Sequence, residues 1–227
     1  NLDLSFTGFE TLTDFSADLT FTGQLADPLG IPTLSGTAIL NRRVGSDLPF
    51  DQISGPVKIR SNEQTIQFEG QLAGKGILKS NQTALRILGK TPSVQVAGEY
   101  DRTSGELSLS PSTARLQRGR ADASGNVSTR DKTLDLQVKL QNVSGLLSTA
   151  PNLSAGGVLA LNGTFDAPNI SADLRIQNID ALNAIAVDAL GASARLRGDI
   201  QKKGQTFVVR SASLDGSNLS ATGSGKF

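Results

Sequence analysis

Period-two alternation is the feature that most constrains this chain. In "LDLQVKL" (134–140), Leu134, Leu136, Val138 and Leu140 alternate with Asp135, Gln137 and Lys139. A strand sends successive side chains to opposite faces, so such a run is greasy on one side and wet on the other. The same pattern recurs at Leu2-Leu4-Phe6, Val57-Ile59, Ile66-Phe68-Leu72, Val94-Val96, Leu107-Leu109, Leu159-Leu161-Phe165, Leu174-Ile176 and Ala194-Leu196-Ile200. None of these is the near-continuous apolar run of a strand buried on both faces.

A unit Φ-x-Φ-x-G-x-Φ underlies the alternation. It stands as "LTFTGQL" (19–25), "IQFEGQL" (66–72), "VQVAGEY" (94–100), "ADASGNV" (121–127), "LALNGTF" (159–165) and "ARLRGDI" (194–200). Its glycine occupies an apolar-face slot, where it permits a bulge, a bend or a close backbone approach, and each is expected to mark a bend. The spacings between copies, 47, 28, 27, 38 and 35 residues, are too uneven for the coils of a solenoid. Short polar links such as "DRTSGE" (101–106) and "STRDKT" (128–133) suit hairpins, so the strands are expected to pair antiparallel.

Two segments stand apart. "SNQTALRILGKTP" offers Ser80 or Asn81 as an N-cap, Ala84, Leu85 and Leu88 on one face, and Gly89 and Pro92 as stops, predicting a short helix within 80–90 across a sheet edge. "IDALNAIAVDALG" (179–191) alternates at Ile185 and Val187 but also has helical spacing at Leu182, Ile185 and Ala189, and is read as a strand. The fold expected is all-β: one segment, 1–227, forming a long, mostly antiparallel sheet with one short helix.

Composition bears on function mainly by exclusion. The 227 residues include no His, Cys, Met or Trp, one Tyr, and 24 Gly, a glycine share above the usual ~7%. The usual ligands for zinc, copper and haem are missing, as are Ser-His and Cys-His nucleophile pairs. A non-enzymatic protein without metal or cofactor is expected. Acid pairs such as Asp14–Asp18 and Asp131–Asp135 fall mostly on wet slots or in turns, where solvation keeps carboxylates ordinary. "GQLAGKG" (70–76) lacks the spacing of a phosphate loop. Twenty-two basic and 21 acidic residues, evenly spread, give a net charge of +1 and argue against nucleic acid as a partner. No run is apolar enough for a spanning helix. With no initiator Met and a close in mid-pattern ("ATGSGKF"), the chain is read as a piece of a longer protein.

A one-sided sheet of many strands hides its apolar face against a second sheet, by closing into a barrel, or as a groove filled by lipid or a partner. Aromatics at 4% and an inward set of Leu, Ile, Val and Ala favour the groove, since acyl chains demand no directional partner.

"TALRILGKTPSVQVAGEYDRTSGELSLS" (83–110), "GGVLALNGTFDAPNISADLRIQNI" (156–179) and "LDGSNLSATGSGKF" (214–227) together resemble the TamB family of AsmA-like, inner-membrane-anchored proteins of diderm bacteria. The resemblance is one of cadence and carries no catalytic signature. It implies a sheet curled lengthwise into an apolar trough, the β-taco, in a periplasmic bridge between the two membranes. The implied partners are a TamA-like outer-membrane protein and either phospholipid or unfolded outer-membrane and autotransporter clients. The groove lining is then expected from Leu19, Phe21, Leu134, Leu136, Val138, Leu140, Leu159, Leu161, Phe165, Leu174, Ile176, Leu196 and Ile200. The competing expectation is a purely structural β-stalk or adhesin-like passenger. Edge-to-edge self-association through unpaired end strands is expected for either.

Overall fold

A computed structural model describes residues 15–24, 33–42, 50–77, 82–145, 147–204 and 206–226. The expected alternation at Leu2-Leu4-Phe6, the acid Asp14 and the N-cap candidates Ser80 and Asn81 lie outside the described residues. Thirteen strands run in chain order: β1 Phe15–Gln24, β2 Thr33–Arg42, β3 Phe50–Ser61, β4 Thr65–Ile77, β5 Ser93–Asp101, β6 Glu106–Arg115, β7 Arg120–Ser128, β8 Thr133–Ser144, β9 Ser154–Thr164, β10 Pro168–Gln177, β11 Ser193–Lys203, β12 Thr206–Asp215 and β13 Ser220–Lys226. Helix α1 (Gln82–Leu88) joins β4 to β5, and α2 (Ala184–Leu190), preceded by a 3-10 turn at Ile179–Ala181, joins β10 to β11.

The strands form one sheet whose spatial order is the chain order, β1 to β13. Every neighbour pair is antiparallel. Among the described residues the sheet is an open meander: β1 pairs only with β2, and β13 only with β12. Among the described residues no second sheet packs against it, so the sandwich and the closed barrel are not how this face is treated. A solenoid would pair strands one coil apart, and this order excludes it as well.

Burial agrees with a single layer. Among the described residues the buried apolar side chains are Ala38, Val143, Ala150, Leu153, Ala155, Ile179 and Ala194. What true core exists, Ala150, Leu153, Ile179 and Ala194 backed by Ile176, Ala186, Leu190 and Leu214, lies where α2 and the β8–β9 connection fold onto one long edge of the sheet.

Residues 179–191 are the clearest departure from the sequence expectation: they are a 3-10 turn and a helix, not a strand, so the described residues include two α-helices rather than one. The Asn183 side chain accepts a hydrogen bond from Ala186 N at 2.8 Å, capping α2. Gly191, at φ 73°, ends it with its N–H bonded to Val187 O. These local caps outweigh two alternating apolar residues, and in the helix Ile185 lies in solvent.

The motif glycines differ in backbone conformation. Of Gly70, Gly98, Gly125, Gly163 and Gly198, only Gly125 and Gly163 adopt positive φ. Extra residues instead sit in β6 around Ser110 and Pro111, in β8 at Asn142 (φ 51°), and in β12 at Arg210. A bulge is one of the few places an inner strand accepts proline, and each adds local twist and bend.

Candidate functional site: the apolar face

Cross-strand partners point to the same side of a sheet, so register alone assigns every strand residue to a face. One unbroken row of Cα partners crosses all thirteen strands: Gly23, Leu34, Ile59, Phe68, Gly98, Leu109, Gly125, Leu136, Leu161, Ile170, Ile200, Val209 and Gly225. Each member is apolar or glycine. A parallel row on the same face runs from β4 to β13 through Leu72, Val94, Ala114, Ala121, Leu140, Gly157, Leu174, Leu196, Leu214 and Ala221. Local alternation in each strand has thus been phased across the whole sheet.

Ten of the thirteen residues read from the sequence fall on this face. Leu134, Leu136, Val138, Leu140, Leu159, Leu161, Leu174, Ile176 and Ile200 are half-buried there, and Leu196 is at the margin of exposure. The backbones of Leu19 and Phe21 are in register with Ala38 and Gly36. Phe165 does not fall on this face. It lies past the end of β9 in the turn before β10, where its N–H bonds to Lys132 O at 2.9 Å, so strand alternation no longer governs its side chain. Ile53, Val57, Ile59, Phe68, Val96, Leu109 and Val209 belong to the same face although they were not singled out. Most of them were visible in the alternation. What was missing was the phase between distant strands.

Along the pairing direction the face extends over twelve inter-strand steps, about 58 Å at the usual spacing near 4.8 Å. With strands of about ten residues the sheet side spans on the order of 2,000 Å² geometrically; most of its apolar side chains are half-buried, and Val143, Ala155 and Ala194 are buried.

The opposite face carries the charge. Asp173 and Arg195 form a two-point ion pair, with Arg195 Nε donating to Asp173 Oδ1 at 2.7 Å and Nη2 to Oδ2. Arg197 Nη1 lies 3.4 Å from Asp215 Oδ2 and extends the network onto β12. The Arg195 hydrogen bond holds the Asp173 carboxyl below its ordinary range and raises the guanidinium in turn. Asp122 is lowered chiefly by the Thr113 hydroxyl at 2.7 Å, then by Arg120. Asp131 accepts from Ser128 Oγ at 3.0 Å as a turn residue. These acids are bound into surface ion pairs and turns, and among the described residues no group of three or more acids is placed to hold a metal. Among the described residues no helix is long and apolar enough to cross a membrane.

The two long edges of the face are built differently. At one, Gln117 N donates to Ile87 O of α1 at 3.1 Å, and Arg86 Nε to Gly145 O at 3.3 Å. Arg118 Nη1 reaches Asn152 Oδ1 at 2.8 Å, Asn178 Nδ2 reaches Asn152 O at 3.1 Å, and Ser217 N reaches Leu190 O of α2 at 3.1 Å. Helix α1, the β8–β9 connection, α2 and the β12–β13 turn are therefore joined into one strap. At the other edge only tight turns occur among the described residues, linked backbone to backbone: Arg102 N to Gln64 O at 2.8 Å, Thr129 N to Gly105 O at 2.9 Å, and Phe165 N to Lys132 O.

Compared with known proteins, the chain matches no family model, no curated protein and no solved structure. Its class, on the fold, is a one-layer antiparallel meander, apolar on one face and charged on the other.

Proposed function

We propose that this chain is a non-enzymatic segment of a periplasmic bridge in a diderm bacterium, and that its apolar face, curled lengthwise into a trough, holds and conveys phospholipid between the inner and outer membranes. An unfolded outer-membrane or autotransporter client is the other occupant such a face would take. A TamA-like outer-membrane protein is the partner at the far end. The single observation that carries the reading is the unbroken apolar row through all thirteen strands on a sheet with no second layer among the described residues. Apolar surface on this scale is stable in water only with an occupant, and a row that runs across strands offers a hydrocarbon chain a track rather than a pocket. The TamB-like phrases at 83–110, 156–179 and 214–227 supply the periplasmic setting and the partners.

The two sides of β8 provide the test. A photoreactive residue at Leu136 or Leu161 in the full-length protein is expected to capture phospholipid or an unfolded client, while one at Gln137 or Lys139 is not, because strand neighbours face opposite ways. Capture of protein atoms of the same chain alone would make the face a sealed surface and the protein a structural stalk.

A further inference from the structure

We infer that the two long edges of the apolar face have different tasks: the strapped edge is a fixed wall, and the hairpin edge is the side across which a lipid hydrocarbon chain passes onto and off the face. This rests on the lipid-holding reading above and adds a direction of exchange to it.

The asymmetry is visible in burial along the strands. The row Val143, Ala155, Ile176 and Ala194 runs beneath the strap, and Val143, Ala155 and Ala194 are 3%, 1% and 4% exposed. Three positions along β8 and two along its neighbours, the next row holds Leu140 and Leu174, half-buried, and Leu196, 36% exposed. At the hairpin edge Phe207 is 37% and the turn residue Phe165 43% exposed. Passage across the strapped edge would uncover Ala150, Leu153 and Ile179, which are packed against Ala194, and would break the bonds that tie α1 to Gly145 and α2 to the β12–β13 turn. At the hairpin edge no apolar side chain is buried among the described residues, and the buried residue of its turns is Gly105, whose carbonyl accepts from Thr129. Its turns are short and polar, so a chain can lie on the face while its headgroup stays in water above Arg102–Gly105 or Thr129–Lys132.

Exposed apolar residues occur on both edges, which gives a test matched for accessibility. Phe165 (43%) and Phe207 (37%) stand on the hairpin side, and Leu147 (44%) and Leu182 (38%) on the strap. Benzoylphenylalanine is placed at each of the four, and at Leu136 on the face, in the full-length protein. Each variant is irradiated with vesicles of phosphatidylethanolamine and phosphatidylglycerol, and lipid adducts are counted by mass. The expected result is adducts at Leu136, Phe165 and Phe207, and at least tenfold fewer at Leu147 and Leu182. Equal adducts on both edges, or more on the strap, with Leu136 labelled, would overturn the directional inference and leave the lipid-holding reading standing. No adduct at Leu136 would overturn both.

Discussion

Single residues decide where this sheet tolerates a side chain. Gly125 lies on the central row at φ 135°, and a Cβ there would collide with the Asp135 carbonyl oxygen of β8. Gly223, on the same face in β13, has no atom within 4 Å of such a Cβ. Gly125→Val is therefore expected to destabilise the fold by about 2–3 kcal/mol, from backbone strain and a displaced neighbour. Gly223→Val should stay within about 0.5 kcal/mol, and urea unfolding of the two variants checks the contrast. On the wet face, Asp173 titrates below the ordinary carboxylate value because Arg195 hydrogen-bonds it. A depressed folded pKa means that the pair's contribution is present above the unfolded value, near 3.9, and is lost as pH falls through the lower folded value. Arg195→Ala should move the Asp173 titration up toward 3.9, read by carboxyl NMR. An unchanged midpoint would show that the pair does not persist in solution.

At the scale of elements, the sequence disclosed more about strands than about what joins them. The faces of β8, β9 and β11 are legible because alternation is a local consequence of the pleat, and ten of the thirteen expected residues lie on one face for that reason. The turn at Phe165–Ala167 is not, since Phe165 keeps the alternating phase of β9 after the strand has ended. Helix α2 reads as a strand because Ile185 and Val187 alternate, while Ile185 also fits the helical spacing of Leu182 and Ala189; the deciding signals are the Asn183 cap and Gly191. The bulges at Ser110–Pro111, Asn142 and Arg210 were illegible because they depend on register between strands, not on local spacing. The cap gives a direct test of α2. Asn183→Ala should lower stability by about 1 kcal/mol and speed amide exchange at Ala186, whose N–H would lose its partner. Equal exchange protection in variant and parent would contradict the assigned cap.

Among the described residues no second sheet packs against the meander, and in the proposed function its apolar face is completed by hydrocarbon from outside the chain. Phospholipid content of the purified full-length protein, measured by extraction and mass spectrometry, tests this most directly. Lipid is expected to co-purify with the parent and with Lys139→Glu, whose side chain faces water on β8. It should fall sharply in Leu136→Asp, which puts a carboxylate on the central row at a cost of several kcal/mol against an acyl chain. Circular dichroism must show the same β-dominated spectrum for all three proteins. Parent protein that carries neither lipid nor client, while Leu136→Asp remains folded and functional, would contradict the account.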